Sequence, residues 1–219
     1  MSAGKHEFTV TGTELMLESP ILAVRRDSVV MPGETRAYRE VVEHFGAVAV
    51  VAVNDGGQLA MVRQYRHSVK SRLWELPAGL LDIAGESELP GAQRELAEEA
   101  GLAAGQWSVL VDMITSPGFC DEAVRVFLAT DLTEVERPPA EFEEADMELT
   151  WMTLADARQG ILEGRIVNSI AIAGIFAASE VLAGRGTPRE TDAPFRYRPT
   201  GLAARRRQAG LGTDMKKIG

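Results

Sequence analysis

Between Arg94 and Leu102 the chain reads RELAEEAGL, with three glutamates inside five residues and an arginine beside them. On a helix, Glu98 and Glu99 follow Glu95 by three and four positions, so all three carboxylates leave one face. Ala92, Leu96 and Ala100 recur every fourth position and form a narrow apolar stripe suited to packing on a sheet. The ends are marked as well: Ser87 is an N-cap residue, Pro90 fits a first turn, and Gly101 can take the left-handed conformation that stops a helix. The pattern therefore predicts one helix with its carboxylates on the solvated face.

Like charges at this spacing cost roughly 0.2–0.5 kcal/mol per pair in water. Arg94 can offset one of them, and a hard divalent cation takes oxygen ligands of this kind together with substrate phosphates. Three glutamates alone equally describe a solvated acidic face, since charge runs ordinarily mean exposure.

The rest of the composition narrows the classes. The 219 residues suffice for a sizeable core, and the net charge of −9 argues against a nucleic-acid binder, which needs a basic field. A single cysteine, Cys120, excludes an internal disulfide or a cysteine-rich zinc site and suits a reducing compartment, so cytoplasm is expected. MSAGKHEFTV lacks the apolar core of a secretory signal. The most apolar stretch, IVNSIAIAGIFAASEVLAG, carries Asn168, Ser169 and Glu180 and reads as a buried helix, not a membrane span.

Along the chain, EFTVTG, ILAVRRDSVVM and TRAYREVVEHF read as short strands separated by Ser19-Pro20 and Met31-Pro32-Gly33. This section, 1–45, is too small to bury much alone and is expected to dock as an antiparallel unit. AVAVVAV, the turn NDGGQ and LAMVRQYR read as a hairpin of core strands. WELPAG, WSVLVDMI and AVRVFLAT suggest further strands, LTWMTLADARQGILEGR a strand and short helix, and EFEEADME an acidic loop. These place the main domain at 46–185. From 186 to 219 the chain turns basic, a tail whose order the sequence leaves open.

In its wider frame, the glutamate helix belongs to a longer pattern: Gly79, Glu86, then Arg94-Glu95-Leu96-Ala97-Glu98-Glu99-Ala100-Gly101-Leu102. This resembles the Nudix box, with six residues in place of five between the glycine and the first glutamate. The resemblance implies an α/β fold, a mixed-sheet α/β/α sandwich, that hydrolyses a nucleoside diphosphate joined to another group. It puts Glu95 and Glu99 on the main metal-ligand positions, Glu98 on an accessory metal and catalytic position, Arg94 on the arginine that orients a glutamate, and the backbone carbonyl of Ala78 on a further metal ligand. Mg²⁺ is the implied cation, with Mn²⁺ as substitute. Such ions neutralise phosphate oxygens and lower the pKa of a bound water.

Pro117, fifteen residues beyond Leu102, and the segments YREVVEH, RQYR, WELPAG and IVNSIAIAG resemble the ADP-ribose pyrophosphatase subgroup. That resemblance implies cleavage of ADP-ribose to AMP and ribose 5-phosphate, and a homodimer in which the N-terminal unit is exchanged. It makes Arg39 and Arg66 substrate-binding candidates through forked hydrogen bonds to diphosphate, although either could instead form a structural salt bridge with a nearby glutamate. Glu75 is a candidate for nucleoside recognition or strand surface. The subgroup's catalytic base falls in the acidic run, best at Glu144, with Glu141 and Glu143 as fallbacks. Another nucleotide sugar, NADH, or nucleotide sensing without turnover remain alternatives at this point. His6, His44 and His67 have no metal-ligand spacing, and Trp74, Trp107 and Trp151 read as core or sheet-face residues.

Overall fold

The computed structural model describes residues 6–137, 146–210 and 212–217. Its described strands form three sheets. β1 (Val10–Glu18), β2 (Leu22–Val30) and β3 (Arg36–His44) make an antiparallel N-terminal sheet in sequence order. β4 (Ala47–Ala52), β7 (Ala78–Leu80), β8 (Leu102–Ile114) and β9 (Ala123–Glu134) make a mixed sheet in the order β7-β4-β9-β8, with β4 and β9 parallel. β5 (Gln58–Arg66), β6 (Ser71–Glu75) and β10 (Glu148–Thr153) make the third, in the order β10-β5-β6.

The apolar run of β4 has a direct explanation, because this strand is covered on both faces. Val48 and Val50 point into a cluster with Ala92, Leu96 and Ala100 of α1 (Glu88–Ala100). Ala49 and Val51 point into the opposite cluster with Ala171, Ile175 and Ala178 of α3 (Ser169–Leu182). Full burial of each such valine, leucine or isoleucine side chain is worth about 1.5–3 kcal/mol. Two helical layers on one sheet follow. α2 (Leu154–Leu162) follows β10; α3 is fourteen residues long, and no described helix is long and apolar enough to cross a membrane.

The hairpin expected of residues 47–66 does not form as such. A single bridge, Val53 to Leu59, and the Asn54–Gln58 turn join the two strands before they part into different sheets. A strand that is apolar on both faces carries no mark of its partner in its own residues, and here β9 and β7 flank β4 while β10 and β6 flank β5.

The stretch beyond Gly186 is ordered against the rest of the molecule. α4 (Gly201–Gln208) buries Leu202 beside Ala23, Phe45 and Met215. Arg206, also buried, reaches back to the end of β1, donating to the carbonyl of Ser19 at 2.6 Å and pairing with Glu18.

Candidate active site

α1 is preceded by Ser87, whose side chain makes no capping bond, and is stopped by Gly101 with φ 66°, as the glycine stop requires. It lies on β7, and this placement changes the character of its glutamates. Glu95 and Glu99 are only 9 % and 6 % exposed, while Glu98 remains open to solvent. The face expected to be solvated is therefore covered. The cause is β7, a three-residue strand at the edge of the mixed sheet that the helix overhangs.

Glu99 accepts a hydrogen bond from the Ala78 backbone N–H at 2.9 Å. Glu95 lies directly over Gly79, where any side chain would collide with its carboxylate. Arg94 gathers the rest. It donates two bonds of 3.0 Å to Glu86, one of 2.6 Å to Glu95 and one of 2.9 Å to Glu98. The hydrogen bond to Glu86 is the largest of the effects that keep its guanidinium charged well above the usual arginine range, against the opposing effect of burial. One guanidinium thus faces three carboxylates, and negative charge is left in excess. Burial lifts the Glu95 carboxyl to about 7, Arg94 opposes that lift, and the charges of Glu98 and Asp82 add to it.

Arg94, Glu95, Glu98 and Glu99 line a cavity of about 210 Å³ together with Gln64, Arg66 and Lys216. A second cavity, about 430 Å³, shares Arg66, Ala78, Gly79 and Leu80 with it, so the two adjoin along β7. Glu75, His44 and Glu122 also line the larger one. Arg66 stands between them, its guanidinium fixed by Glu75 through bonds of 3.0 and 2.6 Å. The salt bridge weighed against a binding role for Arg66 is thus present, yet it leaves the side chain facing both cavities. It also turns the Glu75 carboxylate toward Arg66.

Arg39 is not brought to these cavities within the chain. It lies on β3, donates to the Tyr38 carbonyl at 2.8 Å, and lines a separate cavity of about 460 Å³ with Pro117, Phe119 and Cys120. That loop is sewn to β3 by the Val42 N–H donating to Phe119 at 2.7 Å and the Asp121 N–H donating to Val42 at 3.0 Å. Glu144, with Glu141 and Glu143, lies outside the described residues. Lys216 and its partner Asp82 were missed from the sequence. Their only signal is tertiary, because a lysine in a basic tail has no local mark of a cavity.

Among the described residues, no three acidic, histidine or cysteine side chains converge on one ion-sized point. Glu95 and Glu98 are turned to Arg94, and Glu99 to the Ala78 N–H. The donor set nevertheless fits a hard divalent cation: carboxylate oxygens in excess of guanidinium charge lining one cavity, with Gly79 leaving the room that the Glu95 carboxylate fills.

A family model described as NUDIX domain matches residues 43–170. The chain belongs to the NUDIX family. Family membership carries a general need for a divalent metal. This NUDIX chain is 55 % identical over 202 residues to a Mycobacterium tuberculosis protein named ADP-ribose pyrophosphatase, covering 92 % of this chain and 98 % of that one. It is 38 % identical over 154 residues to a Bacillus subtilis protein of the same name, covering 70 % of this chain and 82 % of the relative. A solved crystal structure of an ADP compounds hydrolase matches with a TM-score of 0.72 at 23 % identity, over 84 % of this chain and 99 % of that chain. At that identity the likeness shows the fold, and it agrees with the mixed sheet and flanking helices seen here.

Proposed function

We propose that this NUDIX enzyme hydrolyses the diphosphate of ADP-ribose to AMP and ribose 5-phosphate, with Mg²⁺ as its metal. The observation that carries the reading is the junction of the small carboxylate cavity with the larger one along β7, on a chain whose likeness to the two ADP-ribose pyrophosphatases spans most of its length. Charge chemistry belongs in the first cavity and the bulk of a nucleotide in the second.

Glu95, Glu98 and Glu99, with the Ala78 carbonyl, are the residues that would hold the cation. When bound, such a metal neutralises phosphate oxygens and lowers the pKa of a water. The chain supplies the rest. Arg94 holds Glu86, Glu95 and Glu98 in one place, so the carboxylates are pre-positioned despite their mutual repulsion. Arg66, fixed by Glu75, offers its guanidinium edge to the diphosphate where the cavities meet. The water's oxygen forms a bond to one phosphorus, the bridging oxygen leaves with the other phosphate, and Glu144 is assigned the proton.

We also propose a homodimer in the cytoplasm. All nine residues of β1 are exposed, Leu15, Met16 and Leu17 among them, as befits a strand awaiting a partner. Arg39 and the Pro117 loop would then serve the partner's substrate cavity. The single cysteine supports the reducing compartment.

The test is turnover of ADP-ribose with Mg²⁺, beside ADP-glucose, NADH and a dinucleoside polyphosphate, with Glu99→Gln as control. The expected result is a strong preference for ADP-ribose that the substitution abolishes. Preference for another compound overturns the substrate, and binding without turnover overturns the hydrolytic reading in favour of a sensor.

A further inference from the structure

The C-terminal segment runs back into the carboxylate cavity. Asp214 forms an antiparallel bridge with Ile83, the Ala84 N–H donates to Thr213 at 2.8 Å, and the Met215 N–H donates to the Asp82 carbonyl at 3.0 Å. These contacts grip the loop between Gly79 and Glu86, the one that is a residue longer than the Nudix pattern. Met215, buried with Phe45 and Leu202, fixes the depth of the segment.

Lys216 is thereby delivered to the cavity wall. Its ammonium sits 2.6 Å from Asp82 Oδ2, a buried carboxylate, and its side chain keeps 44 % of its exposure. It lines the same cavity as Glu95, Glu98, Glu99 and Arg66. Burial works against its charge, but the hydrogen bond to Asp82 and the charges of Asp82, Asp214 and Glu95 outweigh it, so the group stays an ammonium. An ammonium has three donors, and Asp82 occupies one. On a flexible stem, the other two can follow an anion that enters the cavity. Arg94 is already committed to three glutamates, and Arg66, held by Glu75, stands where the two cavities meet, so Lys216 adds a further cation to the wall of the carboxylate cavity.

We infer that Lys216 is a substrate-binding residue, donating to a non-bridging oxygen of the diphosphate, so that the C-terminal segment completes the diphosphate subsite. This rests on the proposed reading that the substrate carries a diphosphate. The rival explanation is that Lys216 only neutralises Asp82.

The full-length chain tests it as Lys216→Gln, Asp82→Asn and the pair. Three quantities are read: calorimetric binding of methylenediphosphonate at saturating Mg²⁺, Mn²⁺ binding without it, and Tm. Loss of one charge-assisted hydrogen bond predicts roughly ten- to hundredfold weaker diphosphonate binding in Lys216→Gln, with KM for ADP-ribose raised and Mn²⁺ binding little changed. Asp82→Asn should restore the Tm of the pair but not its diphosphonate binding. If the pair binds diphosphonate as tightly as Asp82→Asn alone, or if only Mn²⁺ binding moves, the inference is overturned. Lysine-dependent diphosphonate binding in a protein that ignores ADP-ribose would sustain the subsite and reject the substrate, so the two readings fail separately.

Discussion

Gly79 and Glu95 share a space that admits only one side chain: a β-carbon on Gly79 would lie 1.9 Å from Glu95 Cδ. Because Glu95 is buried and gripped by Arg94, it has little freedom to retreat. Gly79→Ala should therefore push the carboxylate off β7. We expect metal activation to shift to much higher Mg²⁺ and kcat/KM to fall at least a hundredfold, for a stability loss of about 1–3 kcal/mol from overpacking. Mg²⁺ titrations of rate beside thermal melts separate the two effects.

The raised carboxyl of Glu95 gives a pH signature. Its folded value, about 7, lies above the ordinary 4.5. Its contribution to stability is thus fully present below pH 4.5 and lost as pH rises through about 7. Glu95→Gln, which mimics the protonated form, should match the metal-free wild type at pH 4 and exceed it above pH 7, by on the order of 3 kcal/mol. Mg²⁺ should reverse the order at pH 8, since it binds the ionised carboxylate. Melts across pH with chelator and with Mg²⁺ check both statements; equal wild-type and variant stability at pH 8 with chelator would refute the first.

Glu99 accepts from the Ala78 N–H, so charge and hydrogen bonding can be separated there. Glu99→Gln keeps an acceptor and should hold its Tm within a few degrees while kcat drops by orders of magnitude. Glu99→Ala leaves the N–H without that acceptor and should add a destabilisation of about 1–3 kcal/mol. Full activity in the glutamine variant would remove Glu99 from the metal site.

Arg94 is the shared partner of Glu86, Glu95 and Glu98. Arg94→Met should destabilise the metal-free protein by about 3 kcal/mol or more, because partly buried carboxylates are left facing one another. Divalent cation should then raise Tm more in the variant than in the wild type. Thermal shift against Mg²⁺ concentration measures this, and parallel curves would deny the repulsion.

The exposed β1 makes the dimer testable. Leu15→Asp combined with Leu17→Asp should give a monomer in analytical ultracentrifugation that retains its circular dichroism but loses most ADP-ribose turnover. A wild-type monomer would end the proposal that Arg39 serves a partner's cavity.

What the sequence settled by itself is local. The glutamate helix, its Gly101 stop, its apolar stripe and the Nudix pattern all depend on spacings of three and four residues or on the conformational freedom of single residues, and neighbours in the chain determine these. Tertiary structure decided the rest. That β4 lies between β7 and β9 and not beside β5, that β7 buries Glu95 and Glu99, and that Lys216 meets Asp82 are contacts between distant segments. Each is fixed by which surfaces fit once the sheets close, and the residues involved look the same in sequence whether they end in solvent or in the cavity.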